Sequence, residues 1–392
     1  MTSEQEGLWL RALSSVLERS HLWLPEELAP AVAAAVAPLG IRPAIYVVDD
    51  EQRALRPVPA DDRPAGGPLS LEGTVAGRAF RTVRTQPGGT ASWWVPIVNG
   101  TDRLGVIEFA FPGGLDTGDE VLRRRCEVLA GLVGHLITVT VPKGDFLLQA
   151  RRARPMSASA ELLDRMLPPL TVSCERLTIS AILEPRYDVG GDGYDYALDG
   201  STAWMSVFDG VGHGLRAGLA YTVAVVAIRA ARRAGAGLAA QVAAADAALL
   251  EQFGAEARFV TAVVAELNLD TGDLRYVNAG HPAPLVLRGG KFVEELPAGR
   301  RTPLGVPPVR GEIGHATLRP GDWLLFYTDG ITEARNNEQQ MFGTGRLIEH
   351  AERHAAAGLA APETLRRLAH AVAEFHEGSA VDDATLLLAA LK

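Results

Sequence analysis

The sequence predicts an α+β protein: a small α/β domain followed by a larger one built from packed antiparallel sheets with helices outside. Three observations predict it. The chain has 392 residues, enough for two domains. From Leu177 onward, strands rich in β-branched residues alternate with helices inserted as paired blocks, the pattern of layered sheets flanked by helices. Between about Thr140 and Pro169 that texture breaks into a short helical stripe closed by Pro168-Pro169. The expected domains are therefore 1–140, a helical linker over 141–170, and 171–392.

Composition narrows the class. At 47% hydrophobic and 22% charged residues, the chain can build ordinary globular cores. No apolar run approaches the roughly 18–20 residues needed to cross a bilayer. The first stretch, MTSEQEGLWLRALSSVLERS, is charged and amphipathic, without a signal-peptide core. A cytoplasmic protein without membrane contact is expected. A net charge of −9 argues against a nucleic-acid binder built on a basic face. Cys126 and Cys174 form neither a metal knuckle nor a disulfide framework and read as two ordinary thiols in a reducing compartment.

The elements of the first domain follow in order. Amphipathic helices over Gln5–Glu18 and Pro25–Ala37 lead to a strand at Ala44–Val48 and a Pro/Gly/Asp-rich loop, RPVPADDRPAGGPLSLEG. A helix at Thr74–Arg81 precedes two strands, SWWVPIV and RLGVIEFAF, joined through Asn99-Gly100 as a hairpin. A helix over Asp119–Thr138 closes the unit on a stripe of Leu122, Leu129, Leu132 and Leu136. This layout, with GTVAGRAFRT feeding WWVPIVNGTDRLGVIEFAF, resembles a GAF-type sensor domain over residues 1–140, which implies a small-molecule or protein input. Trp93 and Trp94 read as core and edge packing or as the wall of a ligand pocket. In the linker, Leu162, Leu163, Met166 and Leu167 give an apolar stripe that seeks either the chain's own body or a second copy, as in a homodimer.

In the second domain, LTISAILEP and TAWMSVFDG read as strands, Leu215–Ala234 and Leu238–Phe253 as helices. FVTAVVAELNL and DLRYVNAG form a hairpin through Asp270-Thr271-Gly272. Strands at APLVLR, KFVEEL, HATL and DWLLFYTDG, helices at Gly345–His354 and Pro362–His376, and a last strand, ATLLLAAL, complete it.

Acids sit where these strands begin or end: Asp192 in VGGDGYD, Asp209 in VFDGVGHG, Asp329 in YTDGITEA, and Asp382-Asp383 in AVDDATLLL. One such Asp is a turn-former or a helix cap. Four sites converging on one mouth of a sheet would repel one another unless neutralised. Oxygen ligands without Cys or clustered His favour a hard cation, Mg²⁺ or Mn²⁺, over zinc. The glycines after Asp209 would let backbone approach such a cation closely.

The motifs EPRYDVGGDGYDY, VFDGVGHGLRAGL, FVTAVVAELNLDTGDLRYVNAGHPAPLVL, LRPGDWLLFYTDGITEARN and DDATLLL stand in the order found in SpoIIE-like bacterial phosphatases, and residues 177–391 resemble that family of protein phosphatase 2C-type, metal-dependent Ser/Thr phosphatases. The resemblance implies a β-sandwich flanked by helices, holding two divalent ions, Mn²⁺ or Mg²⁺, between carboxylates. It implies Asp192, Asp209, Asp329 and Asp382 as metal carboxylates, with Asp209 bridging and the Gly210 carbonyl a further ligand. Asp383 is implied as an orienting neighbour or a substitute for Asp382. The implied reaction is direct attack of a metal-activated water on phosphorus, without a phosphoenzyme.

Two departures stand out. Eukaryotic relatives place a histidine directly after Asp-Gly, whereas His213 follows Asp-Gly-Val-Gly; it is either the acid for the leaving oxygen or a turn-stabilising residue. Many relatives carry an arginine just before the acidic residue of the Gly-Gly-Asp motif, where this chain has Tyr187. Arg186, one position earlier, is the candidate substrate-binding residue, but on an extended strand that position faces the other way, so the grip on phosphate rests either on Arg186 or on the metals alone. His281 in NAGHPAP matches the family as a structural or substrate-side residue. The family resemblance further implies a phosphorylated anti-anti-sigma (STAS-type) protein as substrate. The rival reading is a phosphatase-like interaction module without turnover.

Overall fold

The computed structural model describes residues 3–392 apart from 61–65, 117, 185–186, 188–189, 213, 255–257, 308–310 and 377–382. It divides into two compact units, Met1–Pro155 and Met156–Lys392. The stretch expected as a linker, 141–170, is shared between them. Leu147 is buried in the core of the first unit, whereas Ala160 and Leu163 are buried in that of the second.

In the first unit, α1 (Ser3–Arg19) and α2 (Leu28–Val36) precede the strands β1 (Arg42–Val48), β2 (Ala54–Pro57) and β3 (Leu69–Ser70). After α3 (Val75–Thr82) come β4 (Gln86–Pro87), β5 (Ser92–Asn99) and β6 (Asp102–Ala110), then α4 (Glu120–Thr140) and α5 (Phe146–Arg151). The six strands form one antiparallel sheet in the order β3-β2-β1-β6-β5-β4. Period-2 alternation sends Ile45, Val47, Val95, Ile97, Ile107 and Phe109 to one face, under α1, α2, α4 and α5. Val48, Leu55 and Val106 go to the other, under Ala76, Ala79 and Phe80 of α3.

The hairpin turns at Asn99-Gly100, with Gly100 at φ 59°, a conformation glycine adopts without strain. Trp93 is core, and Trp94 stacks at an angle on Tyr46. The segment Glu120–Lys143, contrary to the reading of the sequence, is long and apolar enough to cross a membrane by length and composition. Within this unit it is the core helix: Cys126, Leu129, Ala130, Val133, Leu136 and Ile137 are buried against the sheet.

The second unit opens with α6 (Ala158–Met166), β7 (Thr171–Ser173), β8 (Leu177–Glu184), β9 (Gly193–Asp199) and β10 (Thr202–Gly210). The helices α7 (Leu215–Arg233) and α8 (Leu238–Phe253) lead to β11 (Val260–Asn268), β12 (Asp273–Ala279), β13 (Leu285–Arg288) and β14 (Lys291–Glu295). Next are β15 (Arg300–Arg301), β16 (Gly314–Thr317), β17 (Trp323–Tyr327) and the one-turn α9 (Asp329–Thr332). The chain ends with α10 (Gly343–Ala356), α11 (Ala361–Phe375) and β18 (Ala384–Leu391). One sheet runs β15-β12-β11-β10-β9, with β16 also on β12; the other runs β14-β13-β17-β18-β8-β7.

Both sheets send side chains into a shared core, including Met205, Val207, Val263 and Tyr276 from the first and Ile179, Phe326, Leu387 and Ala389 from the second. The outer face of the first sheet packs on α6, α7 and α8, that of the second on α10 and α11. The result is a helix–sheet–sheet–helix sandwich, the α+β layering expected.

α6 starts on Ser157, whose hydroxyl accepts the Ala160 N–H, and stops before Pro168-Pro169. The Tyr194 and Tyr196 hydroxyls donate to the carbonyls of Pro168 (3.1 Å) and Pro169 (2.6 Å). Leu163 is 1% exposed and packs with Ala220, Tyr221 and Ala224 of α7. Its stripe therefore belongs to the unit's own core. A Leu163→Glu exchange is expected to destabilise the second unit by about 3 kcal/mol or more, from lost burial plus a buried charge. Thermal melting of the full chain checks this; an unchanged melting point would show that the stripe carries no packing.

Candidate metal centre at one end of the sandwich

Strand register brings the acids together. β9 begins immediately after Asp192, and Gly193 pairs with Phe208 on β10, so Asp192 and Asp209 lie at one end of the first sheet. In the second sheet Tyr327, the last residue of β17, pairs with Leu386 near the start of β18. That places Asp329 and Asp383 just beyond the corresponding strand ends.

Hydrogen bonds stitch these ends into one cluster. Oδ2 of Asp192 accepts from the hydroxyls of Thr328 (2.7 Å) and Thr385 (2.9 Å), and the Thr385 N–H donates to the Thr328 hydroxyl (2.9 Å). Oδ2 of Asp383 accepts the backbone N–H groups of Gly190 (2.6 Å), Gly191 (2.8 Å) and Asp192 (3.3 Å). Asp383 thus organises the turn that presents Asp192. The backbone is tight because the glycines permit it. A Cβ on Gly191 would stand 2.3 Å from the Gly210 carbonyl oxygen, and one on Gly330 would stand 1.8 Å from that of Asp383. No other residue fits either place without moving backbone.

Asp192 is 3% exposed, and its carboxyl is held well above the usual range, first by burial and then by the charges of Asp209 and Asp383; the threonine hydroxyls pull the other way. A cluster whose members raise one another's proton affinity favours either a proton or a cation. The acids brought near one another, Asp192, Asp209 and Asp383, offer only oxygen, a donor type that suits a hard divalent ion, while Asp329 lies just beyond the end of β17. Among the described residues, no group of three acids, histidines or cysteines closes on one point in ligating geometry.

The other sequence-derived candidates fall elsewhere. Arg186, His213 and Asp382 lie outside the described residues. His281 is 2% exposed, with ring Nδ1 and the Thr261 hydroxyl 2.7 Å apart and the His281 backbone N–H donating to Asn278 Oδ1 (2.8 Å). Burial lowers its pKa to about 3, against the pull of the Tyr327 carbonyl, so the ring is neutral. His281 backs Thr261, whose hydroxyl faces Asp209 Oδ2 at 3.5 Å. Sequence reasoning passed over Thr328, Thr385, Thr261 and Gly330. The only signal for the first two was a hydroxyl residue beside each acid, in YTDG and DDAT.

Residues 199–392 match the family model described as stage II sporulation protein E (SpoIIE). Among curated proteins, protein IcfG of Synechocystis sp. is 31% identical over 98 residues, which is 25% of this chain and 16% of that protein. Among solved structures, the RsbU and RsbW domains of Rv1364c from Mycobacterium tuberculosis are 27% identical with a TM-score of 0.47, over 57% of this chain and 62% of that one. The SiaA-PP2C domain of Pseudomonas aeruginosa is 26% identical with a TM-score of 0.48, over 54% of this chain and 84% of that one. The chain thus spans about a sixth of the length of the curated relative it matches.

Proposed function

From a chain whose residues 199–392 form a SpoIIE-type phosphatase domain of the PP2C class, we propose a metal-dependent protein phosphatase that removes phosphate from serine or threonine of a small STAS-type anti-anti-sigma protein, under control of the first unit. The observation that carries the reading is Asp192: a fully interior carboxylate at the meeting of two sheets, raised by two neighbouring acids and oriented by two threonines.

Asp192, Asp209, Asp329 and the Gly210 carbonyl would hold the divalent ions, with Asp382 or Asp383 completing the set. Bound there, such ions supply a hydroxide at neutral pH and charge against the phosphoryl oxygens. The chain's own residues set the stage for this. Thr328 and Thr385 fix the Asp192 carboxylate in one orientation. Asp383 shapes the Gly190–Asp192 turn, and Thr261, backed by neutral His281, supports Asp209. His213 is assigned to protonating the departing serine oxygen, on its place in the glycine loop after Asp209. Neither thiol is needed: Cys126 lies in the first unit, fully buried, its pKa pushed up to about 12.

The first unit, with its GAF-like layout, is read as the input that sets the phosphatase's activity in response to a small molecule or protein. The test is phosphate release from a phosphoserine-bearing STAS-type protein by the Mn²⁺-loaded full chain. Release from phosphoserine but not phosphotyrosine supports the reading. Tight binding of the phosphoprotein without release would favour an interaction module instead.

A further inference from the structure

We propose that a cavity beside the C-terminal end of α7, lined by Arg229, Arg232, Arg233 and Trp204, is a binding site for a small organic anion that carries a phosphate or carboxylate on a flat ring. The cavity measures about 510 Å³, within the range of small-molecule sites and far larger than one phosphate ion fills.

Strand alternation builds it. Tyr194 of β9 points into the core shared by the two sheets, so Asp195 turns to the opposite face, beneath α7. Trp204 of β10, which pairs with Ala197, lies on that same face. On α7, Arg229, Arg232 and Arg233 stand at i, i+3 and i+4 and share one side of the helix. Pro168, just after α6, completes the wall.

Asp195 is 1% exposed and pins two of the arginines. Its Oδ1 accepts from Arg229 Nε (3.1 Å) and Nη2 (2.8 Å), and its Oδ2 accepts from Arg232 Nη1 (3.1 Å). Arg229 Nη2 also donates to the Met166 carbonyl (2.8 Å). Arg229 Nη1 and the Nε and Nη2 of Arg232 have no hydrogen-bond partner among the described residues, and neither has the exposed Arg233. The Arg232 guanidinium stands 5.8 Å from the centre of the Trp204 ring.

Charge is the second observation. One guanidinium neutralises a buried carboxylate, yet three gather here. With Asp195 and Asp199 the lining holds three positive and two negative groups, a net +1 in a chain whose net charge is −9. N–H donors on guanidiniums already held in place match the oxygens of phosphate or carboxylate, and Trp204 offers a ring a surface to stack on. The cavity is separate from the acid cluster. Ala217, in the first turn of α7, packs where a Cβ added to Gly191 would meet its own at 2.9 Å, and Arg232 lies about 22 Å farther along the helix.

The experiment is calorimetric titration of phenylphosphonate, benzoate and inorganic phosphate into the full chain with chelator present, where the uncompensated acid cluster repels anions. Phenylphosphonate or benzoate should bind at least about 10-fold more tightly than inorganic phosphate, and the tighter of the two identifies the headgroup. Arg232→Gln leaves Asp195 its bonds from Arg229 and should weaken binding by about 10-fold or more, as for loss of a charge-assisted hydrogen bond. Arg233→Gln, at an exposed position that makes no hydrogen bond in the fold, should weaken it by about 3-fold without moving the melting point, and so reads the site even if the first variant is unstable. No binding of either ring anion overturns the proposal, as does binding unchanged in both variants. Inorganic phosphate bound as tightly as the ring anions would overturn the assignment of an organic ligand.

Discussion

Asp192→Asn is expected to lower turnover by at least about 10³-fold, several kcal/mol of transition-state stabilisation, while leaving the metal-free protein no less stable than its parent. Asparagine keeps an oxygen for the hydroxyls of Thr328 and Thr385 but removes a charge that burial, Asp209 and Asp383 all disfavour. The sign follows from the raised carboxyl. In the metal-free protein the folded state holds a proton that the unfolded state has released, so stability present below the ordinary carboxyl range is lost as pH rises through the raised value. At neutral pH the neutral amide escapes that loss. The melting point of the parent should rise on adding Mn²⁺, and that of the variant should not. A variant that melts far lower without metal would mean that Asp192 is a structural acid and not a ligand.

The second large effect is acid lability through His281. Its buried ring titrates at about 3 in the fold, against 6.5 ordinarily. With a lowered pKa, the unfolded chain takes up the proton first, so stability present above 6.5 is lost as pH falls toward the folded value. By about pH 4.5 the loss from this one ring is about 2–3 kcal/mol. His354, lowered to about 4 by burial and by its neighbour His350, acts in the same direction. Asp192 in the metal-free protein acts in the opposite one, so the useful quantity is a difference. Urea unfolding at neutral pH and at about pH 4.5 should show the parent losing about 2–3 kcal/mol more than His281→Gln. Equal losses would show that the ring is not held neutral in the interior.

The acids were legible because each interrupts an apolar run: Asp209 after SVF, Asp329 after LLFYT, Asp383 before ATLLL. A charge at the end of a buried strand conflicts with local packing, and such conflicts mark sites. What bridges the acids was not legible. Thr328 and Thr385 are ordinary strand residues by composition, and their hydroxyls acquire a task only when β17 and β18 are set beside the Asp192 turn.

The layered architecture was readable from the helix and strand periods. The two-residue edge strands β3, β4 and β15 were not, being too short for a period to show. The Leu162–Leu167 stripe read equally well as core or as a dimer seam, because amphipathicity states that a face is buried and not by what.

The central claim is that the acids around Asp192 hold divalent ions that hydrolyse phosphate esters. Its most direct test is hydrolysis of an aryl phosphate by the full chain with Mn²⁺, with Mg²⁺ and with chelator, beside Asp209→Asn. The account predicts turnover that requires a divalent ion and disappears on chelation and in the variant. Turnover that survives both, or ion binding at this site without any turnover, would contradict it.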